Sequence, residues 1–135
     1  MKVFVDTSFF VALTDKSDKH FTEARDCFLS QLGQNTKLVT SNVVFAETIT
    51  CLRYRAGFKF AKEFGEKFRH SQIIQTVTID TNLEQEAWRI FLKYRDQELS
   101  YVDCLSFAYM KHNQLDTALT FDKHFRLAGF TTLPA

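Results

Sequence analysis

Short runs of β-branched and aromatic residues alternate along this chain with longer segments whose apolar side chains recur every three or four positions, and that alternation most narrows the folds open to it. Residues 2–5, 37–40, 73–79 and 117–121 read as strands, with a short fifth over 130–133. Helical spacing covers 9–13, 20–32, 42–56, 58–70, 83–94 and 101–112. Strands separated by helices call for a parallel sheet with helices on its faces, joined by right-handed crossovers. The expected fold class is α/β: a three-layer α/β/α arrangement around a central parallel sheet of four to five strands. Gly57 reads as a stop between two helices, because glycine accepts the left-handed conformation that ends one.

With 135 residues, only 4 glycines and 1 proline, and no repeat or low-complexity tract, the chain reads as one domain over 1–135 with short connections. Its 15 phenylalanines suggest a core filled by rings. A formal net charge of +1 lacks the basic excess of many nucleic-acid binders, so local arrangement must decide that question. Cys27, Cys51 and Cys104 have neither paired nor metal-type spacing, which fits a reducing cytoplasm better than a disulfide framework. The apolar start Val3-Phe4-Val5 is stopped at once by Asp6, and no run is long enough to span a bilayer.

Four acids, Asp6, Glu47, Asp103 and Asp122, fall where a strand hands over to a helix or where a helix begins. In a parallel α/β fold those junctions share one rim of the sheet, where ligands bind. Asp6, between Val3-Phe4-Val5 and Thr7-Ser8, reads either as a helix N-cap or as a ligand. Glu47 has Val43, Val44, Thr50 and Cys51 as its helical neighbours, and a carboxylate on that face needs a cation, a proton or a metal. A salt bridge to Arg53 or Arg55 is the plain alternative, although neither has favourable spacing. Ser100-Tyr101-Val102-Asp103 has the spacing of a capping box, which explains Asp103 without a metal but leaves it facing the rim. Asp122 repeats the strand-then-acid arrangement of Asp6, and alternation puts the Thr120 hydroxyl on its side of the strand, able to steady that carboxylate or a water. Like charges gathered closely repel unless a cation lies among them, so convergence of all four would point to Mg²⁺ or Mn²⁺.

Asp6-Thr7-Ser8-Phe9-Phe10-Val11-Ala12-Leu13, Asn42-Val43-Val44-Phe45-Ala46-Glu47, Leu99 to Ala108 around Asp103, and Leu119-Thr120-Phe121-Asp122-Lys123-His124-Phe125 together resemble the PIN-domain ribonucleases of the VapC-like toxin type. The resemblance runs essentially end to end with the four acids in order. It implies a PIN-like fold and Mg²⁺- or Mn²⁺-dependent cleavage of RNA by activated water. Asp6, Glu47, Asp103 and Asp122 would be catalytic and metal-binding residues, with Thr7 and Thr120 in support. It also implies frequent homodimerisation and a cognate antitoxin, as in type II toxin–antitoxin pairs. The weak basicity is a departure from what RNA binding would favour.

Other readings remain at this point. A basic stretch, Arg53, Arg55, Lys59, Lys62, Lys67 and Arg69, is interleaved with Tyr54, Phe58, Phe60, Phe64 and Phe68. It is either an RNA-binding face or a solvated helix surface over core rings. His20, His70, His112 and His124 lack metal spacing and read as surface or helix-end residues. Cys104 reads as a buried inert thiol. Asp6 as a phosphorylated nucleophile of a phosphatase or receiver-type domain is a rival, although position 8 is Ser where a D-x-D motif needs Asp. A non-catalytic RNA- or protein-binding module, its acids serving only as caps and surface charges, is another.

Overall fold

A computed structural model describes all residues from Met1 to Ala135. Its elements run β1 (Lys2–Val5), α1 (Thr7–Thr14), α2 (Phe21–Gly33), β2 (Lys37–Ser41), α3 (Asn42–Ala56), α4 (Phe58–His70), β3 (Ile74–Val77), α5 (Thr81–Lys93), α6 (Tyr101–His112), β4 (Thr117–Leu119), α7 (His124–Leu127) and β5 (Thr131–Leu133). The sheet has five strands in the order β3-β2-β1-β4-β5, every pair parallel. Right-handed crossovers assign the helices of the first half to one face and those of the second half to the other. Packing agrees: α1 meets α2 and α3, α3 meets α4, and α5 meets α6. The α/β expectation holds, with seven helices around five strands.

Central β1 is buried at Val3, Phe4 and Val5 alike, because helices cover both of its faces, and this is why its sequence is apolar without alternation. Phe4, Phe9, Phe107 and Phe125 are fully buried around it, with Phe107 and Phe125 edge to face at 4.8 Å. The chain moves outward from β1 through β2 to β3, then returns to β4 on the other side of β1. The direction of winding therefore reverses between β1 and β4, which opens a crevice beyond their carboxyl ends.

Several boundaries differ from the sequence reading, and side chains that take backbone donors explain them. β4 stops at Leu119 rather than Phe121 because Phe121 N–H donates to Ser8 Oγ and Asp122 N–H to Thr120 Oγ1, both at 2.9 Å. β3 is trimmed at both ends where Ile73 N–H donates to Ser71 Oγ and Ile79 N–H to Asn42 Oδ1. α5 begins earlier, at Thr81, because Asp80 caps it through Leu83 N–H at 2.9 Å. The four-residue α7 was not foreseen, since one turn is too short to show a period. Gly57 does end α3, but at φ 95° and ψ 172° it is extended with positive φ rather than left-handed helical, so that it also launches α4.

Candidate metal centre

Asp6 leaves β1 at the reversal point, its own N–H donating to Leu119 O at the end of β4. It is the N-cap of α1 and only 3% exposed. Three donors converge on one oxygen: Ser8 Oγ at 2.8 Å, Thr120 Oγ1 at 2.9 Å and Ser8 N–H at 3.3 Å all reach Oδ2. Oδ1 receives none of these. Thr120 thus steadies Asp6, not the Asp122 carboxylate as alternation suggested, and serves Asp122 only through its backbone N–H.

Asp103 sits in the first turn of α6 with the capping box formed. Its N–H donates to Ser100 Oγ at 3.0 Å and its Oδ2 accepts from Ser100 N–H at 3.3 Å. It is nevertheless 6% exposed and turned to the same crevice. Asp122, half-buried after β4, accepts at Oδ1 from the backbone N–H of His124 at 2.9 Å, and His124 Nδ1 lies 2.8 Å from the same oxygen. Cap and ligand roles are therefore compatible: the caps hold these carboxylates where they meet.

Asp6, Glu47, Asp103 and Asp122 all line one open cleft of about 460 Å³. Within it the ligating atoms of Asp103, Asp122 and His124 lie within 4.8 Å of one another. Asp6 adjoins this group electrostatically. Glu47, half-buried on α3, lines the cleft but stands outside the tight group. The salt bridge considered for Glu47 does not form: Arg55 pairs with Asp15 and Asp18, and Arg53 lies over the Phe58 ring. No lysine or arginine pairs with any of the four acids.

The electrostatic consequence is measurable. Burial pushes the Asp6 carboxyl up to about 6, against the hydrogen bonds from Ser8 and Thr120, and the charge of Asp122 adds to the rise. Burial also raises Asp103, to about 8, with the charges of Asp6 and then Asp122 behind it. Asp6 and Asp103, facing the charge of Asp122 without a basic partner beyond His124, resist an ionisation that a cation among them would favour. Hard oxygen donors suit Mg²⁺ or Mn²⁺, and an imidazole beside them is compatible with Mn²⁺.

His124 is the functional candidate that the sequence reading missed. It is tied to Asp122 and mostly buried, not a surface residue. Its signal was Asp122-Lys123-His124 at a strand end, where an Asx-type turn folds the third residue back onto the first. Ser8 is the other omission, since its hydroxyl and backbone N–H both hold Asp6 Oδ2; Thr7 Oγ1 is buried beside the cleft with no partner. The basic stretch is mainly solvated surface: Phe64 and Phe68 pack on Phe10, while Tyr54 and Phe58 are exposed. Of its cations only Arg55 reaches the cleft. Burial pushes the Cys104 thiol up to about 11, as an inert cysteine requires.

Over 128 residues, 95% of each chain, this protein is 34% identical to the 23S rRNA-specific endonuclease VapC20 of Mycobacterium tuberculosis. The crystal structure of Mycobacterium tuberculosis VapC20, a sarcin–ricin loop cleaving toxin, matches with a TM-score of 0.88 at 33% identity, over 96% of both chains. More distant matches share the fold. VapBC2 from Rickettsia felis bound to a promoter DNA fragment has a TM-score of 0.73 at 14% identity, over 98% of this chain and 97% of that one. FitAcB from Neisseria gonorrhoeae has a TM-score of 0.71 at 16% identity, over 98% and 96%. Residues 3–130 match the PIN domain, and with the VapC20 likeness extending over nearly the same span, the chain belongs to the PIN-domain family.

Proposed function

We propose that this protein is a divalent-metal-dependent endoribonuclease of the VapC type. The observation that carries the reading is the convergence of Asp6, Asp103 and Asp122, from three separate elements, on a crevice where no lysine or arginine neutralises them. Asp103 and Asp122 are the proposed direct ligands together with Asp6 Oδ1, and Glu47 on the cleft wall orients water or holds a second ion. A bound Mg²⁺ or Mn²⁺ supplies Lewis-acid polarisation of the phosphate and a lowered pKa for water.

The chain's own residues set the geometry. Ser8 and Thr120 fix Oδ2 of Asp6 and so aim Oδ1, Ser100 fixes Asp103, and His124 fixes Asp122. His124 lines the same cleft, and its imidazole is the proposed proton carrier there. Arrangements held this firmly align a nucleophile with a phosphodiester without a search.

The relative's substrate makes the sarcin–ricin loop of 23S rRNA the first RNA to test. We take the protein to be the toxin of a toxin–antitoxin pair, with a cognate antitoxin as protein partner and a homodimer as its working form. The cytoplasm, where Cys27, Cys51 and Cys104 would stay free as they are here, is its proposed location. No helix is long and apolar enough to cross a membrane. Purified protein should cut ribosomal RNA in Mg²⁺ or Mn²⁺, stop in EDTA and resume on adding metal, with Asp6→Asn and Asp103→Asn at least 100-fold slower. Undiminished cleavage in EDTA, or by both variants, would overturn the reading.

A further inference from the structure

The same cleft carries a second set of groups that the metal chemistry does not use. Three rings lie parallel from the core to the cleft: Phe9 to Phe121 at 5.9 Å and 7°, then Phe121 to His20 at 4.3 Å and 6°. Phe9 is fully buried, Phe121 half-buried, and the His20 side chain 33% exposed. Beside it, the 40% exposed Arg55 is held by Asp15 at 3.0 Å and Asp18 at 3.3 Å. Asp18 also accepts His20 N–H at 2.8 Å, so one carboxylate fixes both groups. Both ion pairs of Arg55 use Nη2, and Nε and Nη1 make no hydrogen bond within the protein. Arg55 is moreover the only lysine or arginine lining a cleft that has six carboxylates on its walls: Asp6, Asp18, Glu47, Glu98, Asp103 and Asp122.

We propose that His20 and Arg55 form a nucleotide subsite, in which an unpaired RNA base packs on the His20 imidazole and an adjoining phosphate takes the free N–H groups of Arg55. The inference rests on the ribonuclease reading and names the part of the substrate that this wall of the cleft holds. A histidine backed by a parallel aromatic ring is a firm stacking platform, and single-stranded RNA offers splayed bases to such surfaces. A polyanion entering an acidic cleft needs a fixed cation where the metal does not reach. Arginine pinned through one nitrogen presents the rest of its planar fork already oriented.

The test is steady-state cleavage in Mg²⁺ of a fluorogenic single-stranded RNA, and of copies carrying one abasic nucleotide at each position around the cut. Wild type is compared with His20→Ala, His20→Phe, Arg55→Gln and Arg55→Lys, all checked for folding by thermal melts. His20→Ala should raise KM roughly 5- to 100-fold with kcat within about threefold, while His20→Phe stays near wild type. One abasic position should cost wild type a similar factor and cost His20→Ala nothing further. Arg55→Gln should raise KM and lower the salt dependence by about 0.7 in log–log slope, with Arg55→Lys retaining that slope. If wild type cleaves and His20→Ala matches it, or loses kcat at unchanged KM, the subsite is wrong and the ribonuclease reading stands. If wild type cleaves no RNA with any metal, both fall.

Discussion

Asp103 carries two duties that pull against each other, closing the capping box of α6 and facing Asp6 and Asp122 across the cleft. Both Asp6 and Asp103 are raised above the ordinary carboxyl value of 3.8, to about 6 and about 8, so the folded protein holds their protons more tightly than the unfolded chain does. For acids shifted this way, stability is greatest below about pH 4 and is lost as pH rises through those two values. Asparagine at 103 keeps an acceptor for Ser100 N–H and removes the charge. In EDTA, the stability of Asp103→Asn relative to wild type should therefore grow by roughly 1–3 kcal/mol between pH 5 and pH 8.5. Urea unfolding at the two pH values checks this; equal pH dependence of the two proteins would contradict it. Ser8 gives a complementary test, because its hydroxyl pulls the Asp6 value down. Ser8→Ala should weaken Mn²⁺ binding about 10- to 100-fold at pH 7 and by less at pH 9, where Asp6 is ionised regardless. A calorimetric titration at each pH reads the difference.

At the scale of elements, α6 is anchored by its N-terminus, and the position of Asp103 in the cleft depends on that anchor. Ser100→Ala removes the hydroxyl that accepts Asp103 N–H and should cost about 1 kcal/mol, seen as a lower thermal midpoint, with Ser100→Thr recovering most of it. The capping box was legible because its spacing is local, and so were Asp6 and Asp122, each placed by a strand that ends in an acid. Asp122 and His124 show where local reading stops. The histidine has no helical or metal-type spacing to flag it, and its contact with Asp122 is made by a turn leading into a helix of only four residues. Thr120 was read from alternation, but the strand had already ended, and its hydroxyl turned to Asp6 across the β1–β4 junction instead. Glu47 lines the cleft wall, yet nothing in its helical neighbours tells that it stands outside the tight group of Asp103, Asp122 and His124.

The whole molecule combines a near-neutral chain with an acidic cleft, which would limit how the proposed RNA substrate is held. With Arg55 the only lysine or arginine on the walls, log Kd against log salt for single-stranded RNA should have a slope of magnitude about 0.7, where a basic groove making six phosphate contacts would give about 4. Filter binding across a salt series distinguishes the two. The five-stranded order, with its reversal between β1 and β4, brings Asp6 and Asp122 to adjacent strand ends, and α6 brings Asp103 to them; the proposed divalent ion would offset the repulsion of that meeting. The most direct measurement is calorimetric titration of metal-free protein with Mn²⁺ at pH 7.5 in two buffers of different ionisation heat. Saturable binding with net release of protons from the carboxyl cluster is expected, weakened at least 10-fold in Asp6→Asn. Absence of saturable binding, or binding unchanged in that variant, would contradict the account.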